Sequence, residues 1–116
     1  MNLLEILKIA IGIATILTGA VSLFWPLRVR GFTGLEVSGG RGITEIRAIL
    51  GGVFIGLGAA VLVLNDPAAY MTLGITYLVV AGVRLISMFI DKSVERSNVI
   101  SVITEVIMGV ILVLNQ

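Results

Sequence analysis

The stretch Gly42–Asn65, GITEIRAILGGVFIGLGAAVLVLN, limits what this chain can fold into more than any other. At about 1.5 Å per residue, its apolar run from Ile43 to Leu64 is long enough to cross a hydrocarbon core of about 30 Å. Only a helix satisfies its own backbone hydrogen bonds in such a run. The stretch therefore predicts a membrane-spanning helix, and that helix carries Glu45 and Arg47 near its start.

The amino-acid composition agrees with a membrane protein. Hydrophobic residues make up 58% of the 116 residues and charged ones only 13%, with a mean hydropathy of +1.14. Soluble domains carry about a quarter of charged residues, so we expect an integral membrane protein. The net charge of +1 and the scattered basic residues argue against a nucleic-acid partner. The sequence has neither cysteine nor histidine, so we expect no metal site, no cofactor and no enzymatic activity.

Three further apolar segments predict three further spans. The first runs from residue 3 to 24 and ends before Trp25-Pro26, a pair typical of a membrane interface and of a helix end. It is too long for the apolar region of a signal peptide, so we interpret it as an uncleaved span. Four spans at residues 3–24, 43–64, 68–90 and 98–114 predict an all-α integral membrane protein. With short turns they form a four-helix up-down bundle, a single domain over residues 1–116.

The connections between spans predict the orientation of the chain. Leu27–Arg41 is a glycine-rich loop, Asn65-Asp66-Pro67 is a tight turn whose proline can begin the next helix, and Asp91–Ser97 is a short charged loop. The positive-inside rule places the loops rich in basic residues in the cytoplasm and both termini outside. Lys8, near the outer end of the first span, contradicts this orientation. The basic loop residues are Arg28, Arg30, Arg41, Lys92 and Arg96.

Four charged residues fall inside the predicted spans, all in the same leaflet: Glu45, Arg47, Arg84 and Glu105. Each would cost a few kcal/mol or more if it faced lipid, so we expect the four to pair with one another inside the bundle. Arg84 and Glu105 are predicted to pair across neighbouring helices, in bidentate geometry. Glu45 and Arg47 lie about 200° apart on their helix and should therefore meet partners on different sides.

Small residues divide the second span into two faces. One face holds Glu45, Gly52 and Gly56, and the opposite face holds Arg47, Gly51 and Gly58. Because small residues let helix backbones approach closely, we predict that this span is the central helix and is packed on both sides. The first span has one polar and small stripe that should face protein rather than lipid. The stripe comprises Lys8, Gly12, Thr15, Gly19 and Ser22.

The role of the charged residues has three interpretations. Buried ion pairs can simply fix the register of helices. Ionisable residues within a membrane also mark pathways for ions, protons or small solutes, and arginines near the cytoplasmic side can attract a lipid headgroup or an anionic small molecule. Tyr77, Ser87 and Asp91 share a face with Arg84. Tyr77 fits either the wall of such a ligand pocket or ordinary packing.

Three motifs carry a resemblance to a known family: E-x-R-A-x-x-G-G from Glu45 to Gly52, G-x-R-L-x-S-x-x-x-D from Gly82 to Asp91, and E-x-x-x-G from Glu105 to Gly109. With these motifs the chain resembles an uncharacterised family of small four-helix bacterial inner-membrane proteins and, more loosely, the DoxX-like proteins. The resemblance implies that the charged cluster is part of the fold's signature, and it implies no activity. Small multidrug exporters are similar in size, but their embedded glutamate lies in the first span, where this chain has only Glu5 at the membrane edge.

These observations together predict a non-enzymatic, multi-pass protein of the bacterial inner membrane. We expect a structural or accessory subunit, either a homo-oligomer or part of a larger membrane complex, with an Arg-Glu network in its interior. The alternative is a small-solute or proton-coupled carrier in which Glu105 or Glu45 titrates. The expected partners are the lipid bilayer, further copies of the chain or other membrane subunits, and a lipid or small-molecule ligand.

Overall fold

The computed structural model describes residues 1–115, and that part of the chain contains helices and no strand. A single 3₁₀ turn, Pro26–Arg28, precedes the second helix. Four of the helices in this part, α1, α3, α4 and α5, are long and apolar enough to cross a membrane. The predicted all-α class and multi-pass membrane character are therefore confirmed. The helices are α1 (Leu3–Phe24), α2 (Val29–Thr33), α3 (Gly39–Leu64), α4 (Pro67–Ile90) and α5 (Arg96–Val113).

The ends of α1 follow from its flanking residues. The side-chain oxygen of Asn2 accepts a hydrogen bond from the backbone N–H of Glu5 at 2.9 Å and so caps the first turn. At the other end the chain leaves helical geometry at Trp25, with φ −130°, before the buried Pro26. Proline has no N–H to continue the helix. The predicted end of the first span is therefore confirmed.

The connection between α1 and α3 is more ordered than the glycine-rich loop that the sequence predicts. It contains the short helix α2, which ends at Gly34. Gly34 has φ 73°, a left-handed conformation that glycine adopts without a steric penalty, and its N–H donates to the carbonyl of Arg30 at 2.9 Å. The connection is thus a short helix with a regular glycine stop.

Helix α3 begins four residues before the predicted start and changes its winding on the way. It is α-helical over Gly39–Glu45, π-helical over Ile46–Val53 and α-helical again over Phe54–Leu64. The extra turn is supported by an ion pair between Arg41 and Glu45, four residues apart, at 2.6 Å. The predicted start of this helix is too late because the prediction follows the apolar run alone, and the helix extends beyond that run.

The turn before α4 has the predicted chemistry. Asn65 adopts φ 46°, and the Asp66 carboxylate accepts a hydrogen bond from the backbone N–H of Ala69 at 2.8 Å. Pro67 occupies the first helical position, where its missing N–H costs nothing. Helix α5 begins at Arg96, two residues before the predicted start, and ends at Val113.

The described helices form two compact units. One comprises residues 9–64, and the other comprises residues 1–8 with the described residues from Asn65 onwards. In the first unit, glycines of α1 and α3 face each other in two antiparallel pairs. A Cβ added to Gly19 would lie 2.6 Å from the carbonyl oxygen of Gly51, and one added to Gly58 would lie 2.7 Å from that of Gly12. On each helix the two glycines are seven residues apart, so the two backbones are in close contact at two points that are separated by two helical turns.

In the second unit, α4 and α5 also approach closely at a pair of facing glycines. A Cβ added to Gly74 would lie 3.0 Å from the carbonyl oxygen of Gly109, and one added to Gly109 would lie 3.1 Å from that of Gly74. Leu73 and Leu112, beside these glycines, are among the most buried side chains, with 2% and 1% of their surface exposed. The packing role predicted for Gly109 is therefore confirmed, and Gly74 is a partner that the sequence analysis missed.

The polar stripe of α1 is buried, as predicted: Thr15 is 1% exposed, Ser22 6% and Lys8 7%. Three other glycines predicted to pack have no such contact within the part of the chain that the structure describes. A Cβ added to Gly52, Gly56 or Gly82 would meet no heavy atom within 4 Å. Within its own unit, α3 has α1 as a close neighbour on the face of Gly51 and Gly58, and the positions of Gly52 and Gly56 leave room for a side chain.

The two faces assigned to α3 recur in the structure, although residues Ile46–Val53 bond from i to i+5 in a wider turn. Gly51 and Gly58 contact α1, whereas a Cβ added to Gly52 or Gly56 would contact nothing within 4 Å. A helix with one close neighbour in its unit needs only one small face, and Gly51 with Gly58 supplies it.

These contacts predict opposite outcomes for two glycines of α3. Gly58→Ala should lower the free energy of unfolding by about 1–3 kcal/mol, because the new methyl group would press on the Gly12 carbonyl oxygen, which belongs to backbone. Gly56→Ala should leave stability unchanged or raise it by up to about 1 kcal/mol, since it adds helix propensity in open space. Thermal unfolding in detergent, followed by circular dichroism, measures both; equal losses would contradict this packing scheme.

Candidate functional site

The ion pair between α4 and α5 is the centre of the candidate site. Arg84 donates from Nε to Glu105 Oε1 at 2.9 Å and from Nη2 to Glu105 Oε2 at 3.0 Å. The Glu105 side chain is 12% exposed and that of Arg84 33%. The predicted pairing and its bidentate geometry are therefore confirmed. Such a pair fixes both the distance and the orientation of the two side chains.

The register of the two helices explains why residues so far apart along the chain can meet. Gly74 and Gly109 lie opposite each other in an antiparallel pair, so Arg84, ten residues further along, lies roughly opposite residue 99. Side chains on a helix lean toward its N-terminus. In an antiparallel pair, Arg84 and Glu105 therefore lean toward each other along the helix axes and close the gap between them.

Asn98 extends the ion pair into a network. Arg84 Nη1 donates to Asn98 Oδ1 at 3.2 Å, and Asn98 Nδ2 donates to the carbonyl oxygen of Ser93 at 2.9 Å. This network links the middle of α4 to the loop before α5. The sequence analysis did not assign Asn98 to the site. It precedes Glu105 by seven residues, and this spacing of two helical turns, which puts both side chains on one face, was the available signal.

A groove of about 440 Å³ lies beside this network, within the unit that contains α4 and α5. Ser87 and Asp91 belong to its lining, as their shared face with Arg84 predicts. Tyr77 is buried but is not one of the lining residues, so the wall of this groove is formed by other side chains. The lining comprises Val79, Val80, Val83, Arg84, Ser87, Met88, Asp91, Ser93 and Asn98.

Glu45 and Arg47 belong to the other unit, and the interior pairing predicted for Glu45 is wrong. Glu45 binds Arg41 of its own helix, and the two side chains are 56% and 80% exposed. Arg47 is exposed and forms no ion pair with any residue that the structure describes. The physical reason is that a carboxylate near a helix end finds a cation one turn away without having to be buried.

Lys8 is a second buried charge, at the opposite end of α4 and α5. Its Nζ donates to the carbonyl oxygen of Leu114 at 2.6 Å and lies 6.0 Å from the centre of the Tyr70 ring. Leu114 caps the C-terminus of α5, where the unpaired carbonyls and the helix dipole are negative. This contact accounts for a lysine on the side that otherwise has few basic residues.

The site can therefore hold charges in fixed positions inside an apolar surrounding. Among the described residues, every buried side-chain nitrogen or oxygen has a hydrogen-bond partner. Within the same part of the chain, no group of three or more Asp or Glu residues is arranged so as to hold a metal ion. A polar network satisfied in this way fixes one packing arrangement of its helices.

Comparison with protein-family models, with curated proteins and with solved structures finds no match to this chain. The resemblance to the uncharacterised four-helix family stays a prediction that rests on the motifs around Glu45, Arg84 and Glu105. The function must therefore be argued from the geometry of the helices and from their exposed faces.

The Arg84–Glu105 pair predicts a pattern of stability changes. Glu105→Gln and Arg84→Gln should each lower the free energy of unfolding by about 3 kcal/mol, because each leaves a charge without its partner in an apolar surrounding. The double replacement should cost clearly less than the sum, since two neutral amides can bind each other. Unfolding of the purified protein in detergent, followed by circular dichroism, gives the four values.

Arg41→Gln is the matched control, because it breaks an ion pair whose side chains are exposed. Such pairs contribute little to stability, and no measurable change is expected. Additive losses in the Arg84 and Glu105 series, or an equal loss in the control, would contradict a stabilising role of the network.

Proposed function

We propose that this chain is a non-enzymatic structural protein of the bacterial inner membrane, and that it acts by associating with further copies of itself. Its proposed topology is multi-pass, with both termini outside and the basic loops in the cytoplasm. The Arg84–Glu105 network would keep one helix pair in a fixed arrangement, so that the exposed helix faces are presented in a constant geometry.

The observation that carries this proposal is an open row of small residues on α3. Ala48, Gly52, Gly56 and Ala60 recur every four residues, and all four are exposed. The two glycines have nothing within 4 Å of an added Cβ. In membranes, helices associate through such rows, because small side chains let two backbones approach closely and gain van der Waals contact.

Arg47 supports association at the same part of α3. It is exposed and has no ion pair within the described chain, and a guanidinium that faces lipid is unfavourable by a few kcal/mol. In a dimer of equally oriented copies, equal residues lie at equal depth in the membrane. The Glu45 carboxylate of a second copy would then lie within about 3 Å of the depth of Arg47, since the two are two residues apart on the helix.

A carrier is the second candidate, and the groove beside Arg84 is the observation that favours it. A groove with both apolar and polar lining can hold a small solute. The proposed titrating groups are less suited to this role. Both oxygens of Glu105 already accept hydrogen bonds from Arg84, and Glu45 is bound to Arg41 on an exposed surface.

Self-association can be tested with single cysteines, because the chain has none of its own. Gly52→Cys and Ala60→Cys should give a disulfide-linked dimer on mild oxidation in native membranes, since the proposed interface brings identical residues of two copies together. Val79→Cys and Ile86→Cys are the matched controls on exposed parts of α4 and should stay monomeric. Gly56→Leu, added to either α3 cysteine, should abolish cross-linking, because its side chain would hold the backbones apart.

Cross-linking at the α4 positions that equals that at α3 would contradict a specific interface. No cross-linking at any position would also contradict self-association, and it would leave attachment to a different membrane subunit as the remaining form of a structural role.

The carrier hypothesis has a separate test. Purified protein in liposomes with a trapped pH-sensitive dye should conduct no more protons than protein-free liposomes, and Glu105→Gln should change nothing, because the carboxylate is held by Arg84. A proton flux that depends on the protein and is lost in well-folded Glu105→Gln would overturn the structural proposal in favour of the carrier.

A further inference from the structure

The connection between α1 and α3, residues 25–38, has an exposed surface that the proposed function does not use. Large apolar side chains stand out from it, with Trp25, Leu27 and Phe32 each about half exposed at 52%, 53% and 51%. Trp25 follows directly on the end of α1, where a membrane-spanning helix reaches the headgroup region. Aromatic side chains are enriched at that depth because their rings are apolar and their edges polar.

Two arginines share this surface. Arg28 and Arg30 are exposed, and neither forms an ion pair within the described chain. The guanidinium of Arg28 lies over the Trp25 ring, with its central carbon 5.9 Å from the ring centre. Glu36 is the only acidic residue of the connection. The surface is therefore basic and apolar at once.

The surface is ordered by its own hydrogen bonds and by two buried anchors. Pro26 and Val29 are buried on the inner side of the connection. The hydroxyl of Thr33 donates to the carbonyl of Val29 at 2.7 Å, and it accepts from the N–H of Leu35 at 3.1 Å. The backbone that carries the two arginines is thus largely ordered before any ligand binds, which lowers the entropy lost on binding.

We propose that the connection binds the headgroups of anionic phospholipids, with Arg28 and Arg30 on the phosphate groups and with Trp25, Leu27 and Phe32 among the upper parts of the acyl chains. Guanidinium groups bind phosphate oxygens with two parallel hydrogen bonds. An anionic lipid is favoured over a zwitterionic one because the two positive charges have no acidic partner among residues 1–115. Arg84, by contrast, is already bound to the Glu105 carboxylate and does not need an anionic ligand to balance its charge.

Trp25 is the only tryptophan of the chain, and it lies at the proposed site. The protein is reconstituted in phosphatidylcholine bilayers that contain a fixed fraction of brominated lipid, either phosphatidylglycerol or phosphatidylcholine. Bromine quenches only nearby fluorescence. Brominated phosphatidylglycerol should quench Trp25 more strongly than brominated phosphatidylcholine at equal fraction, and high salt should reduce the difference.

Arg30→Gln should lower the apparent affinity for the anionic lipid by about fivefold, as expected for the loss of one basic residue at a membrane surface. It leaves the contact between Arg28 and Trp25 in place, so the probe itself stays unchanged. Arg28→Gln with Arg30→Gln should remove the preference. The matched control is Lys92→Gln with Arg96→Gln, which removes two charges from a different loop and should keep the preference.

Equal quenching of the unmodified protein by the two lipids would overturn the proposal. So would an equal loss of preference in the control, because the effect would then report overall charge and not this surface. Neither outcome depends on self-association, because self-association is measured separately, by disulfide cross-linking of cysteines on α3.

Discussion

Close approach of helix backbones at paired glycines is the contact on which the rest of the structure depends. In the unit of α4 and α5, Gly74 and Gly109 lie so close to each other's carbonyl oxygens and to the side chains of Leu112 and Leu78 that neither position has room for a side chain. That contact sets the register, and the register brings Arg84 and Glu105 within reach. A side chain at either glycine would separate the helices or shift them, and the two-point geometry of the ion pair would be lost. The close packing of glycines thus determines where the charged side chains of Arg84 and Glu105 can pair.

Four of the charges within or beside apolar helices are neutralised in four different ways. Arg84 has a carboxylate on the neighbouring helix, Lys8 a backbone carbonyl at a helix end, and Arg41 a carboxylate one turn away. Arg28 lies over an aromatic ring. A hydrocarbon surrounding offers no water, so each solution replaces hydration with protein groups. Arg47 has no ionic partner in the described chain, and it lies on the same helix as the open glycine row.

This division of the molecule supports a role in binding rather than in chemistry. The polar groups between α4 and α5 are satisfied by one another, which stabilises one arrangement of the two helices. The groups that lack partners lie on exposed faces: the small residues and Arg47 on α3, and the arginines near Trp25. A row of small residues such as that of α3 can pack against another helix. Exposed arginines such as those near Trp25 can bind lipid headgroups.

Much of the fold could be predicted from the sequence because a bilayer permits few solutions. An apolar run of sufficient length must be helical, proline and asparagine marked the turn at residues 65–67, and the burial of the α1 stripe followed from its periodicity. The Arg84–Glu105 pair could also be predicted, since opposite charges at one depth in neighbouring helices have few other partners.

The prediction for Glu45 failed because a local partner was available. A salt bridge to Arg41, one turn away, keeps Glu45 out of the predicted interior network. The sequence by itself therefore determined that this chain forms apolar helices and which charges needed partners, because the length of a span and its charge are properties of each segment. Only the tertiary structure decided which glycines touch and which face stays open, because a contact depends on the position of a second helix that no single segment encodes.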